Sequence, residues 1–153
     1  MPSAPQFAVL CVDDDEDSRV MLGALLSFFD VEVKAVGDAI QALGLIESEC
    51  FDLYLLDAWL PDIDGFELCR RLRLVDPFKP ILFFSGAASE TDKQKGIQAG
   101  ATGYVVKPDV GGLLESITQF LLPTQRTKLF KNSSLTHYST GIQVQSRHWV
   151  LPK

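Results

Sequence analysis

No stretch of this sequence approaches the 18 or more consecutive apolar residues that a membrane span requires. No basic segment precedes the first apolar run, so no secretory signal is expected. Histidine is scarce: His137 and His148 are the only two, have no partner at ligand spacing, and read as surface residues. Cysteine is also scarce and odd in number. Cys11, Cys50 and Cys69 form no CxxC pair and lie in or beside apolar segments. That pattern excludes a disulfide framework and a usual zinc site, and it predicts three small core residues in a reducing cytoplasm. Acid is missing from Pro123 to Lys153, which carries Arg126, Lys128, Lys131, Arg147 and Lys153. The first 122 residues therefore hold 9 basic against 20 acidic side chains, a net of −11. A body that acidic argues against nucleic-acid binding. The change at Pro123 marks the expected boundary between a domain at 1–122 and a basic extension at 123–153.

What is present is a regular alternation of buried-strand and amphipathic-helix patterns. Phe7–Val12 and Leu53–Asp57 are apolar runs bounded by turn signals. Val31, Val33 and Val36 mark a second strand, Ile81–Phe84 a fourth ending at Ser85, and Gly103–Lys107 a short fifth. Between them lie helix patterns. Asp17–Phe29 has Val20, Met21, Ala24, Leu25 and Phe28 at helical spacing, and Ile40–Ile46 follows Asp38 as N-cap. Gly65 to about Leu74 has Phe66, Leu68, Cys69 and Leu72 inward. A fourth helix opens at Ser89, with Asp92 as a capping-box partner, and closes at Gly100. Asp109 caps a last helix running to Leu122. Strands alternating with helices imply parallel pairing, right-handed crossovers and helices on both faces. Five such units predict an α/β fold, a flavodoxin-like doubly wound five-stranded parallel sheet in the order 2-1-3-4-5.

In such a sheet the chemistry lies beyond the carboxyl ends of the strands. There the sequence places Asp13 and Asp14 after strand 1, Asp57 at the end of strand 3, Ser85 at the end of strand 4, and Lys107 at the end of strand 5. Three carboxylates do not stay ionised side by side without a cation. Oxygen-only donors suit a hard divalent ion, with Mg2+ the natural candidate. A carboxylate beside such a metal can attack phosphorus to give an aspartyl-phosphate. The metal, Lys107 and the Ser85 hydroxyl would stabilise the phosphoryl oxygens. Plainer readings exist: Asp13 and Asp14 as helix caps, Asp15 as a surface acid, Asp62 and Asp64 as loop and N-cap acids.

Four segments, by their order and spacing, resemble the receiver domain of two-component response regulators (CheY-like): LCVDDD, LLDAWLPDIDG, FFSG and GYVVKP, over about residues 7–122. The resemblance implies phosphorylation at Asp57, with Lys107 and Ser85 assisting. It implies Mg2+ held by Asp13, Asp14, Asp57 and the backbone carbonyl of Trp59. It implies a switch through Ser85 and Tyr104, and a cis bond before Pro108. A histidine kinase or histidine phosphotransfer protein would be the donor. Output would pass to a protein target through the face of helix 4, strand 5 and helix 5, with a homodimer as one form. Tyr104, an aromatic in a short strand, would otherwise be half-buried packing. Trp59 is bulky for its place and would shield or gate the acceptor.

Other classes stay open on sequence alone. An aspartate-nucleophile phosphatase needs a second acid two residues on, where this chain has Trp59, so turnover as an enzyme is not expected. A phosphorylation-independent interaction module, or the N-terminal receiver of a truncated transcriptional regulator, are the remaining alternatives. The extension has strand-like alternation in GIQVQ and apolar Leu129, Phe130 and Trp149. It could pack on the acidic body, pair with a partner's sheet edge, begin a further domain, or be a flexible tail.

Overall fold

The computed structural model describes residues 3–121. The extension, with His137, His148 and the expected strand character, lies outside them. Five parallel strands, β1 (Phe7–Val12), β2 (Val31–Val36), β3 (Leu53–Leu56), β4 (Ile81–Ser85) and β5 (Gly103–Val106), are ordered β2-β1-β3-β4-β5. Helices α1 (Glu16–Ser27), α2 (Ala39–Ile46), α3 (Gly65–Val75), α4 (Glu90–Ala99) and α5 (Val110–Leu121) connect or follow them. Register pairs Val9 with Val33 and with Leu53, Leu55 with Leu82, and Phe84 with Val105. The expected sheet order is thus observed.

Two apolar layers sandwich the sheet, because alternate side chains of each strand point to opposite faces. Val9, Cys11, Leu53, Leu55, Leu82, Phe84 and Val105 face α1 and α5, which contribute Leu22, Leu26, Leu113 and Ile117. Leu10, Val12, Leu56, Ile81, Phe83 and Tyr104 face the other helices, meeting Ala39, Ala42, Phe66, Leu68, Cys69, Leu72 and Ala99. All four residues expected on the inner side of α3 are buried.

The N-caps follow from short polar side chains that satisfy the orphan N–H groups of a first turn. Asp38 accepts from Gln41, Asp64 from Glu67, and Ser89 from Asp92. Asp92 takes the Ser89 hydroxyl and not its backbone N–H, a variant of the expected capping box. Asp109 accepts from Gly112 at the start of α5, and α4 ends at Gly100 with φ +106°.

Asp15, an acid placed where acids favour a helix N-terminus, is the N-cap of α1, accepting from Ser18 while staying exposed. One expectation fails. Cys11 and Cys69 are core residues but Cys50 is exposed, because it sits in the α2–β3 connection before the sheet closes over Phe51. The inward face of α1 is Leu22 and Leu26, whereas Val20, Met21, Ala24 and Phe28 face outward. Apolar residues surround this helix on more than one side, so periodicity finds the helix without choosing the face that meets the sheet.

Candidate functional site

The winding of the sheet reverses between β1 and β3, and the candidate residues gather at the carboxyl ends of the strands there. Backbone ladder bonds extend past the strand ends and hold them: Asp13 N–H to Val36 carbonyl, Asp57 N–H to Val12 carbonyl, and Lys107 N–H to Ser85 carbonyl, at 2.9–3.0 Å. Asp13, Asp14 and Asp57 each offer an oxygen within 4.8 Å of the others. Asp13 and Asp57 are buried and Asp14 is exposed. The Lys107 ammonium reaches Asp13 Oδ2 at 2.7 Å and Asp57 Oδ2 at 3.3 Å. The Ser85 hydroxyl donates to Asp57 Oδ1 at 2.6 Å. Four strands thus deliver five polar side chains to one point.

The electrostatics are those of a site with more negative than positive charge. Burial raises the Asp13 pKa, and the hydrogen bond and charge of Lys107 offset only part of this. Burial alone would lower Lys107, but its hydrogen bond to Asp13 and the charges of Asp57 and Asp13 outweigh it, so its pKa is raised. One ammonium does not neutralise three carboxylates. The donor set, oxygen only and partly open to solvent through Asp14, fits a hard divalent cation that keeps several waters.

Local sequence explains the positions. A Cβ on Gly65 would lie 2.0 Å from the Asp57 carbonyl oxygen and 2.9 Å from Ala58 Cα. Only glycine lets α3 start against the backbone of the Asp57 segment, where Gly65 N–H donates to the Ala58 carbonyl at 2.8 Å. Asp62, on the same loop, accepts from Ala39 and Ile40 N–H at 3.1 and 2.8 Å. It therefore caps α2 from across the loop. Arg19 Nη1 donates to the Asp13 carbonyl at 2.7 Å and braces the acidic turn from α1. The Lys107–Pro108 peptide is cis, as the resemblance implied.

Trp59 stands on the same rim, 55% exposed, with its N–H 3.4 Å from Asp57 Oδ1. Its ring meets Phe66 edge-on at 6.3 Å. Phe66 meets Phe83 at 5.3 Å, and Phe83 stacks on Tyr104 at 5.3 Å. Tyr104 is 1% exposed, not half-buried, and its hydroxyl donates to the Ala87 carbonyl at 2.6 Å. Burial pushes its pKa up to about 12, so it stays a donor at any physiological pH. Ala87 N–H in turn donates to Ser85 Oγ at 3.2 Å. Ala87, Gly65 and Arg19 were not singled out from the sequence. Only Gly65 left a signal there, as the glycine closing the loop after Asp57.

The family model of the response regulator receiver domain matches residues 9–118. Response regulator MprA of Mycobacterium ulcerans is 36% identical over 121 residues, covering 79% of this chain and 51% of that protein. A CheY-like response regulator receiver domain protein from Methanospirillum hungatei superimposes with a TM-score of 0.72 at 32% identity, covering 80% of this chain and 97% of that one. Chemotaxis response regulator CheY4 of Vibrio cholerae gives a TM-score of 0.70 at 33% identity, covering 75% and 98%. The chain belongs to the response regulator receiver family of two-component signalling. Receiver domains are signalling modules that typically bind Mg2+ at an aspartate cluster, and Asp13, Asp14 and Asp57 form a group whose oxygens lie close enough together to hold a metal ion. The chain spans about half the length of the MprA regulators it matches. Among the described residues no helix is long and apolar enough to cross a membrane.

Proposed function

We propose that this domain accepts a phosphoryl group onto Asp57 from the phosphohistidine of a histidine kinase or phosphotransfer protein. The observation that carries this reading is Asp57 itself: a buried carboxylate whose two oxygens are shared between the Ser85 hydroxyl and the Lys107 ammonium, beside two further carboxylates. In the transfer, an Asp57 oxygen forms the new P–O bond as the P–N bond to the donor imidazole breaks, and the imidazole takes a proton. Lys107 faces the place where negative charge gathers on the phosphoryl oxygens, and the Ser85 hydroxyl turns from the carboxylate to donate to one of them. Asp13 and Asp14, with Asp57 and the Trp59 carbonyl, would hold Mg2+. That ion supplies charge neutralisation for an anionic donor approaching an acidic rim.

The signal leaves through Ser85, Ala87 and Tyr104. Phosphorylation would shift a two-state equilibrium and alter the surface of α4, β5 and α5, where a target protein or a second copy docks. The domain on this reading is 1–122, with 123–153 a separate basic extension. A cytoplasmic location is part of it, because kinases are charged from ATP there. Turnover of a phosphomonoester is not expected, since Trp59 stands where an aspartate-nucleophile phosphatase carries its general acid.

The test is intact-mass spectrometry after mixing with acetyl phosphate. One labile phosphoryl group per chain should appear with Mg2+, fail to appear with chelator, and be absent from Asp57→Asn. No mass increase, or one that survives Asp57→Asn, rules the reading out.

A further inference from the structure

Helices α3 and α4 lie on the same face of the sheet and leave a groove of about 250 Å3 between them, at the rim that carries Trp59. Trp59, Asp64, Phe66, Arg70, Lys95 and Gln98 line it. Phe66 is buried and forms its floor, and the exposed Trp59 ring stands edge-on to it at 6.3 Å. The Lys95 ammonium lies 6.0 Å from the Phe66 ring centre and makes no ion pair among the described residues. Arg70 shares the single carboxylate of Glu67 with Arg71. Asp64 is committed to the cap of α3 through the Glu67 N–H. Arg70, Arg71 and Lys95 thus stand beside Asp64 and Glu67 alone, a local excess of positive charge on a body that carries −11.

We infer that this groove docks an acidic segment of a partner protein, which sets one aromatic or long apolar side chain on Phe66 against Trp59 and its carboxylates against Arg70 and Lys95. Charge selects the occupant first: cations without a full share of counter-charge, beside an exposed aromatic ring, complement an anion with an apolar body. Size selects next. Pockets for drug-sized molecules usually hold roughly 300–1,000 Å3, more than this groove offers, whereas one anchoring side chain needs less. Tryptophan and arginine are also the residue types that dominate binding energy at protein interfaces. Placement connects the groove to the interior. Phe66 is the first ring of the row that continues through Phe83 to Tyr104, and Gly96, next to Lys95 on α4, rests on Tyr104. An occupant would thus bear on α4 from its α3 side. Docking here requires no phosphoryl transfer at Asp57.

The test is a nuclear magnetic resonance titration of the isotope-labelled full-length chain with a short synthetic peptide of glutamates around one phenylalanine. The Trp59 indole N–H and the Lys95 and Gln98 amides should shift. Alanine in place of the peptide's phenylalanine should weaken binding about tenfold or more, and lysines in place of its glutamates should abolish it. The double variant Arg70→Glu with Lys95→Glu should lose the shifts; both side chains are exposed. Lys95→Gln alone, which leaves the Arg70–Glu67 pair in place, should weaken binding several-fold. No shift at millimolar peptide, shifts confined to β5 and α5, or full binding by the charge-reversed variant would overturn the inference. So would equal shifts from inorganic phosphate or adenosine monophosphate at the same concentration, which would assign the cations to a small anion.

Discussion

The Ser85 hydroxyl donates to Asp57 Oδ1 at 2.6 Å and at the same time accepts from the Ala87 N–H, whose residue's carbonyl holds the Tyr104 hydroxyl. One hydroxyl therefore joins the carboxylate at the end of β3 to the aromatic side chain of β5. Ser85→Ala cuts this connection at its first member. Removal of one partner from a buried, charge-assisted hydrogen bond should cost about 1–3 kcal/mol in denaturant unfolding. Acetyl phosphate should still modify the variant, but the nuclear magnetic resonance shifts of Ala87 and Tyr104 should no longer respond. A response equal to the parent's would show that the signal bypasses Ser85.

Gly96 is where α4 rests on this connection. A Cβ there would lie 2.9 Å from Tyr104 Cδ2 and 3.3 Å from Phe83 Cδ2. The Tyr104 ring cannot retreat, because it stacks on Phe83 and its hydroxyl is tied to Ala87. Overpacking costs about 1–3 kcal/mol, against about 1 kcal/mol of helix propensity gained. Gly96→Ala should therefore destabilise the fold, and shift the Tyr104 resonances without any phosphodonor. Gly44→Ala is the matched control: the space around that Cβ is open, so the variant should be neutral or up to about 1 kcal/mol more stable.

The cysteines give a prediction from burial alone. Burial pushes the thiols of Cys11 and Cys69 up to about 12, while Cys50 is exposed. At about pH 8, near the ordinary thiol value, a thiol reagent should modify the folded chain once, at Cys50. All three should react after unfolding. Prompt labelling of Cys69 in the folded chain would mean that α3 opens at neutral pH.

Asp62 links stability to acid. Burial would raise its pKa, but N–H donation from Ile63, Ile40 and Ala39 prevails and lowers it. A lowered folded-state value means stabilisation that is present above the unfolded value of about 3.9 and lost as pH falls through the lower folded one. Asp62→Ala should be less stable by about 1 kcal/mol at neutral pH, the usual cost of a lost cap. Urea unfolding should show that gap closing below about pH 4. A gap that persists undiminished in acid would mean that the carboxylate charge is not what caps α2.

These predictions draw unequally on the sequence. Sheet order and the five rim residues were legible there, because buried strands ending in Asp57, Ser85 and Lys107 carry both the period and the chemistry in single residues. The burial of Tyr104 was not. It depends on Gly96 of a different helix and on the Ala87 carbonyl, neither of which sequence spacing connects to it. The orientation of α1 was not legible for a similar reason: Leu22 and Leu26 compete with Val20, Met21, Ala24 and Phe28 for the same sheet, and only the packed layer decides. Asp62 was legible as a loop acid, but its partners Ala39 and Ile40 are remote in sequence.

The most direct test of the central claim is to locate the acceptor atom. An aspartyl-phosphate is an acyl phosphate, and borohydride reduces it to homoserine, which marks the residue permanently. After reaction with acetyl phosphate and Mg2+, reduction and peptide sequencing by mass spectrometry should find homoserine at position 57 alone. Homoserine at position 13 or 14, or none in a chain that had gained the phosphoryl mass, would contradict the account.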